Sequence, residues 1–300
     1  LTSLGLIALE NKGPSEAHQY QTLALEIARE LRNRDLEAKV LSNLANIIGL
    51  AQGDFAAARD YFEQAQIIHQ EQGSLYPSGL ALTNLGWVSS MLGDYETALK
   101  YHTRALTIAR EVGNRTQEMY TLINLSASTS GKGNNPAAAI YWAEKALALS
   151  EKIADQIGAA WSFFYLGYGY LLDKQYAQAQ KAFIDSLRIR EGINAKVLAA
   201  ESQAAIAQTS LEVLDIESAL AEVETVILYM QENPHLEGAE EPLRIMLTCY
   251  LVLKEKKDPR HKNILQAANL LLDTQVSKLR SEEARHIYVE NVPRSEERRV

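Results

Sequence analysis

The sequence predicts an all-α protein of about seven consecutive helix pairs stacked into a right-handed α-α superhelix. Three rows of residues recur at steps of 40 or 41 positions through roughly 200 residues, and repeats of this length are typical of solenoids. The first row is a leucine followed by a small residue: Leu4-Gly5, Leu44-Ala45, Leu85-Gly86, Leu125-Ser126 and Leu166-Gly167. The other two rows lie seven positions apart: Ala17, Ala58, Ala98, Ala139, Ala179 and Ala219, then Ala24, Ala65, Ala105, Ala146, Ser186 and Val226.

Small side chains at a fixed period have a physical explanation in helix packing. Two antiparallel helices whose axes are about 8–10 Å apart leave little room for side chains at their closest approach. The leucines and the aromatic residues of the second helices, such as Phe62 and Tyr95, fill the space around that approach. A single pair does not bury its apolar face, so neighbouring pairs must stack.

The landmarks resemble those of the tetratricopeptide repeat. They are the leucine–glycine pair Leu85-Gly86, the turn Gly93-Asp94-Tyr95, Ala98, and the Phe-x-x-Ala spacing of Phe62 and Ala65. The usual repeat has about 34 residues, whereas this one has 40 or 41. It is similar to the long-repeat arrays of bacterial signalling regulators and of kinesin light chain. The resemblance implies that the first helix of each pair faces the concave side.

Seven repeats follow one another along the chain. Their approximate bounds are 1–34, 35–73, 74–114, 115–156, 157–194, 195–234 and 235–276. Repeat two has nine residues from Leu44 to Gly53, one more than repeat three, so an adjustment is expected in or after its first helix. Repeats six and seven lose most landmarks, as terminal repeats of a solenoid often do.

The last twenty residues are predicted to be a capping helix and a charged tail. We therefore divide the chain into a solenoid, 1–280, and a capping segment, 281–300, that covers the final helix pair. The C-terminal combination of Leu247-Thr248-Cys249-Tyr250, Lys257-Asp258-Pro259-Arg260 and Tyr288-Val289-Glu290-Asn291-Val292-Pro293 resembles the end of large bacterial STAND-type regulators. In those proteins a tetratricopeptide array follows a signalling ATPase core. The start of the sequence, without Met and three residues before a landmark, indicates a piece of a longer chain.

Composition excludes several classes of protein. The net charge is −8, whereas nucleic-acid binders usually carry a basic face, so no nucleic-acid partner is expected. No apolar run reaches the 18 residues of a membrane span, and no membrane partner is expected. The one cysteine, Cys249, lies in an apolar stretch; we interpret it as a buried side chain in a reduced, cytoplasmic protein.

Polar side chains before the repeated leucine are candidates for ligand binding on the concave side. Asn43, Asn84 and Asn124 each precede that leucine. An amide both donates and accepts hydrogen bonds, which suits the backbone of an extended peptide. Arrays similar to kinesin light chain hold peptides with asparagines at this position. The alternative is that the three asparagines bridge repeats or cap helices.

Aromatic residues enrich the same face in repeats three to five. They are Trp87, Tyr120, Trp161, Phe164, Tyr165 and Tyr168. Aromatic side chains dominate binding hot spots. Packing between repeats is the alternative, and it is the favoured interpretation for Phe164.

The sequence shows no catalytic or metal-binding pattern. The histidines have no ligand spacing, and no nucleophile motif is present, so we expect no enzyme, no metal and no cofactor. The predicted function is a peptide- or protein-binding module, the sensor or recruiting arm of a larger regulator. A small-molecule sensor and a self-association scaffold remain alternatives, and other domains of the same chain are further candidate partners.

Overall fold

The structure, a computed structural model, describes residues 13–51, 53–133, 135–234 and 236–291. Within these ranges the chain forms fourteen α-helices and no strand. The bounds are α1 Pro14–Glu30, α2 Arg34–Asn46, α3 Phe55–Glu71, α4 Leu75–Met91, α5 Tyr95–Glu111, α6 Arg115–Lys132, α7 Pro136–Ile153, α8 Gln156–Leu172, α9 Tyr176–Gly192, α10 Lys196–Glu212, α11 Ile216–Glu232, α12 Pro242–Glu255, α13 His261–Ser277 and α14 Glu282–Asn291. Consecutive helices pack in pairs, so the all-α repeat prediction is confirmed. Leu4-Gly5, in the predicted first helix of repeat one, lies outside the described residues.

The chain divides into two compact units. Of the described residues, the first unit contains those up to Asn124 together with Lys278–Glu290, and the second contains those from Leu125 to Ser277 together with Asn291. Repeats two and three therefore lie in the first unit, and repeats five to seven lie in the second.

The three sequence rows form the centre of the helix packing in each unit. Leu44, Leu85, Leu125 and Leu166 are at most 7% exposed. Every described member of the two small-residue rows is at most 4% exposed: Ala17, Ala58, Ala98, Ala139, Ala179 and Ala219, then Ala24, Ala65, Ala105, Ala146, Ser186 and Val226. The repeat register is therefore correct.

Two glycines of the first row face a ring of the partner helix. A Cβ atom on Gly86 would lie 2.3 Å from Cε1 of His102, and a Cβ atom on Gly167 would lie 2.5 Å from Cε1 of Phe183. His102 and Phe183 occupy equivalent positions, two repeats apart. Glycine is required at both positions, because the imidazole ring of His102 and the phenyl ring of Phe183 occupy the space that a larger side chain would need.

The turns between helices share one backbone conformation. Most contain a left-handed residue, which is Arg32 in the first turn (φ 52°) and glycine in repeats two and three, as at Gly93 (φ 77°) and Gly113 (φ 70°). In the later repeats Lys174 (φ 59°), Asn194 (φ 58°) and Leu214 (φ 60°) occupy the equivalent places. The turn geometry persists where the glycine signal is lost, although a non-glycine residue in this region costs about 1–2 kcal/mol.

The extra residue of repeat two is accommodated inside the first helix. Residues Ile47–Ala51 form a π-helical turn that continues α2, and single-turn π segments of this kind arise inside α-helices. The second helix then begins normally, with Asp54 Oδ1 accepting a hydrogen bond from Ala57 N at 2.9 Å.

The C-terminal segment contains a helix, α14. Lys278–Glu290 groups with the first unit. In that unit Arg280 Nη1 lies 2.7 Å from Asp60 Oδ2 of α3. The division at residue 280 remains a prediction. None of the described helices has the length and apolar character that crossing a membrane requires.

Candidate functional site

The predicted ligand-binding residues are divided between the two units. Asn43, Asn84, Asn124, Trp87 and Tyr120 belong to the first unit; Trp161, Tyr165 and Tyr168 belong to the second. We describe each group within its own unit.

The three asparagines occupy equivalent positions on α2, α4 and α6 of the first unit. All three side chains are half-buried. Nδ2 of Asn43 is buried and has no hydrogen-bond partner among the described residues. An unsatisfied buried amide costs about 1–3 kcal/mol, so a ligand that accepts a hydrogen bond there would recover that energy.

The aromatic residues of the first unit are also half-buried. Trp87 packs edge-on against Phe55 of α3, with ring centroids 5.6 Å apart. Trp87 thus contributes to the packing between repeats while part of its ring remains accessible. Tyr120 is half-buried as well.

The aromatic residues of the second unit form one buried cluster on α8. Tyr165 is 4% exposed and Tyr168 is 5% exposed, so neither presents an open aromatic surface. Trp161 stacks on Tyr165, with centroids 5.9 Å apart, and remains half-buried. Phe164 packs edge-on against Phe183 at 5.8 Å, which agrees with the favoured core interpretation.

A fully buried arginine lies against this cluster. The guanidinium carbon of Arg190, on α9, is 4.3 Å from the centre of the Trp161 ring and 4.2 Å from that of Phe164. Its Nη1 donates to the carbonyl of Leu198 at 2.7 Å. Nε and Nη2 of Arg190 are buried without hydrogen-bond partners among the described residues. Burial lowers the pKa of this guanidinium.

Opposite the aromatic cluster, the linker between α11 and α12 folds onto α8 and α10. Glu201 Oε1, on α10, accepts from Glu240 N at 2.6 Å and from Glu241 N at 3.3 Å. The hydroxyl of Tyr165 donates to Glu240 Oε2 at 2.7 Å. The linker is therefore held through both its backbone and a side-chain carboxyl group.

The carboxyl groups at this contact have shifted pKa values. Burial raises the pKa of Glu201 to about 8, against the opposing effect of Arg190. Burial also raises the pKa of Glu240, and the neighbouring Glu241 raises it further. Glu201 therefore carries a proton for most of the time at neutral pH.

Arg244 connects this contact to a groove in the second unit. Its guanidinium carbon lies 4.3 Å from the centre of the Tyr168 ring, and its Nε is 2.7 Å from Glu241 Oε2. Beyond Tyr168 and Arg244 lies a groove of about 420 Å3. Its walls come from the first helices of four successive repeats, α6, α8, α10 and α12, together with Lys174 in the turn before α9 and Tyr176 at the start of α9.

Two periodic rows of side chains line most of the groove. The first row is mainly apolar: Ser130, Leu171, Leu211 and Leu251. The second row is Tyr168, Gln208 and Thr248. Oγ of Ser130 and Oε1 of Gln208 are buried without hydrogen-bond partners among the described residues. Lys174, Glu212 and Arg244 add charged groups to this lining, so the groove combines apolar and polar side chains.

Of the predicted ligand-binding residues Tyr168 lines this groove; Gln208, Ser130 and Arg244 were not among the predicted residues. A signal for Gln208 was present, because it stands 40 residues after Tyr168. The leucine–small pair of repeat six was not recognised because Ile206-Ala207 takes the place of leucine and glycine, and these two residues are 4% and 0% exposed. No sequence signal indicated Arg244.

Reactive and metal-binding groups are sparse in the described residues. Cys249 is buried, which raises the pKa of its thiol to about 12 and keeps it protonated. Among residues 13–291 apart from the three undescribed positions, no cluster of three His, Cys, Asp or Glu is arranged to hold a metal ion.

Comparison with known proteins assigns the repeats. The model of the tetratricopeptide repeat family matches residues 36–111 and 77–152. The chain therefore carries tetratricopeptide repeats within residues 36–152. Tetratricopeptide repeats are generally a non-catalytic protein-interaction fold. No curated protein matches the chain.

Solved structures similar to this one extend the fold over nearly the whole chain. NprR in complex with its cognate peptide NprX has a TM-score of 0.67 and 16% identity, and the match covers 96% of this chain and 84% of NprR. A Rap protein complexed with Competence and Sporulation Factor has a TM-score of 0.62 and 13% identity, covering 89% and 77%.

A third structure is a STAND protein with a tetratricopeptide repeat sensor from Pyrococcus horikoshii. Its TM-score is 0.63 and its identity 17%, with coverage of 95% of this chain and 43% of that protein. The chain thus spans less than half of the STAND protein. At these identities the likeness shows the tetratricopeptide repeat fold.

Proposed function

We propose that the chain is a peptide-binding tetratricopeptide repeat module whose groove in the second unit receives a segment of a partner protein. The observation that carries this proposal is the 420 Å3 groove with the buried, unpartnered Ser130 Oγ and Gln208 Oε1 on its wall. Peptide backbone supplies both donors and acceptors for such atoms. Leucine and tyrosine side chains around them supply the apolar contacts that anchor an incoming segment.

The relatives support a peptide as ligand. NprR is described with its peptide NprX, and a Rap protein with Competence and Sporulation Factor. The STAND relative is described as carrying a repeat sensor. We extend this role to the present chain, as the sensor or recruiting arm of a larger cytoplasmic regulator.

Binding to a peptide array, followed by titration calorimetry of the strongest peptide, tests the groove. Gln208→Ala should weaken that peptide about three- to tenfold, because one neutral hydrogen bond contributes about 0.5–1.5 kcal/mol. Gln203→Ala is the matched control, since it makes the same change on α10 at a residue that does not line the groove. A peptide whose affinity is equal in wild type and Gln208→Ala would refute the groove.

The first unit supplies a second proposed contact region. We assign backbone hydrogen bonding to Asn43, Asn84 and Asn124, with Trp87 and Tyr120 beside them as apolar contacts. The triple alanine variant of the asparagines should lose peptides that wild type retains in a pull-down. Loss of folding in that variant, seen as a lower melting temperature, would instead support the bridging role.

A small-molecule effector is the second candidate. The groove volume of about 420 Å3 falls in the range of small-molecule sites, about 300–1,000 Å3. A thermal-shift screen with soluble metabolites distinguishes the two candidates. Stabilisation by a metabolite in wild type but not in Gln208→Ala, with no peptide bound, would replace the peptide proposal.

A further inference from the structure

The linker between α11 and α12 is the longest between described consecutive helices of the second unit's repeats. It spans residues 233–241, nine residues between Glu232 and Pro242, whereas three residues join α9 to α10. Its first part is anchored in the core, since Leu236 is 1% exposed. Its last part, Gly238 to Glu241, crosses α10, where a Cβ atom on Gly238 would lie 3.4 Å from Val197.

The contacts of this last part are those of a bound peptide. One carboxyl oxygen of Glu201 receives two successive backbone N–H groups, from Glu240 and Glu241. Side-chain recognition is added by the Tyr165 hydroxyl on the Glu240 carboxyl group. Backbone groups thus hold the segment, and the Tyr165 hydroxyl also holds the Glu240 side chain.

Positive charge stands behind and beside the two acidic residues. Arg190 is 0% exposed, and two of its nitrogens have no hydrogen-bond partner among the described residues. Arg244 pairs with Glu241 on the other side. Nη1 of Arg190 already lies 3.5 Å from Oε2 of Glu201, so the positive charge that remains open to a second carboxylate is on Nε and Nη2, because a guanidinium can pair with carboxylates through several of its nitrogens.

We infer that the face formed by Tyr165, Glu201 and Arg190 is a binding site for an extended acidic peptide, and that linker residues 238–241 are its built-in occupant. An external peptide with two successive acidic residues displaces the linker. The path of the external peptide continues past Arg244 into the groove, since Arg244 contacts both Glu241 and Tyr168. This inference rests on the proposed function and names the class of ligand.

The tethered linker determines how strongly an external peptide binds. An intramolecular segment acts at an effective concentration of the order of millimolar. If the docked linker outnumbers the released linker by about ten to one, the apparent affinity for an external peptide falls about tenfold. Weakening the linker should therefore strengthen external binding by about the same factor.

Fluorescence anisotropy with a labelled peptide of the sequence of residues 236–242 tests this. The double variant Glu240→Gly/Glu241→Gly should bind the peptide about tenfold more tightly than wild type. The control peptide carries glutamine at both acidic positions and should bind the double variant about tenfold more weakly than the acidic peptide. Equal affinity of wild type and double variant, or no binding by either, would overturn the inference.

Hydrogen exchange on the unmodified chain provides a measurement that no folding defect affects. Millimolar acidic peptide should speed exchange of the Glu240 and Glu241 amides, whereas the glutamine peptide should leave it unchanged. An exchange rate that the acidic peptide does not alter would contradict displacement. If the acidic peptide does not change the exchange rate but Gln208→Ala still weakens binding of peptides from the array, the linker inference is refuted. The proposal that the groove binds peptides then stands unchanged.

Discussion

Replacement of His102 by phenylalanine should change how stability depends on pH. His102 is 0% exposed, and neither ring nitrogen has a hydrogen-bond partner among the described residues. Burial lowers the pKa of the imidazole to about 3. Phenylalanine fits this place, because Phe183 already packs over Gly167 at the equivalent position.

The magnitude follows from proton linkage. The histidine pKa is about 6.5 in an unfolded chain and lower in the folded one, so the unfolded state binds more protons between the two values. The contribution of neutral, buried His102 to the free energy of unfolding is therefore fully present above pH 6.5, and it is lost as the pH falls below that value. From pH 7 to pH 5 the wild type should lose about 2 kcal/mol from this group.

Glu201 acts in the opposite direction over the same range, because its pKa is raised to about 8. The folded state then binds more protons than the unfolded state, so this group's contribution to stability falls as pH rises toward 8. Because Glu201 is unchanged in the variant, the difference between His102→Phe and wild type isolates the histidine.

Urea unfolding followed by circular dichroism at pH 5, 6 and 7 measures this difference. His102→Phe should exceed wild type in stability at pH 7, since removing unpartnered buried polar atoms recovers about 1–3 kcal/mol. The advantage should grow by about 2 kcal/mol at pH 5. An advantage that stays constant with pH would mean that His102 has the same pKa in the folded and unfolded states, as an exposed histidine has.

The remaining predictions concern stability and are checked by thermal or urea unfolding. Gly86→Leu should cost about 1–3 kcal/mol or more, because the side chain would enter a filled ring site; Gly192→Ala, with open space around its Cβ, should not destabilise. Leu214→Gly should stabilise by about 1 kcal/mol by relieving φ 60°. Asp155→Ala should cost about 0.5–2 kcal/mol by removing the cap on Gly158 N. Asn84→Ala should leave the melting temperature unchanged if the asparagine serves ligand binding.

The fold was predictable because close helix packing restricts residue size at a fixed period. Ala139 and Ala179 are fully buried, and no larger side chain fits at such an approach. Recognition of the leucine–glycine pair failed where helix packing tolerates other residues at those two positions. In repeat six an Ile-Ala pair satisfies the packing as well as Leu-Gly does, so the signal disappeared while the geometry remained.

The candidate site was less predictable, because it depends on contacts between residues far apart in sequence. Tyr165 was expected at the ligand face, but its hydroxyl binds Glu240, 75 residues later. The linker that covers it has no helical period, so nothing in the sequence indicates where it packs. Arg244 belongs to a degenerate repeat, and its position became evident only from its contacts with Tyr168 and Glu241.

The π-helical turn at Ile47–Ala51 bears on how such chains change length during evolution. One added residue is absorbed within a single turn, and Ala58 and Ala65 of the next helix remain fully buried. In repeat four, by contrast, the added residue lies between Gly133 and Pro136, because Gly133 follows Leu125 by eight residues as Gly93 follows Leu85. Insertions of one codon are therefore tolerated at two different places. A comparison of repeats that assumes one fixed length would align the wrong residues, whereas alignment on the buried alanines would not.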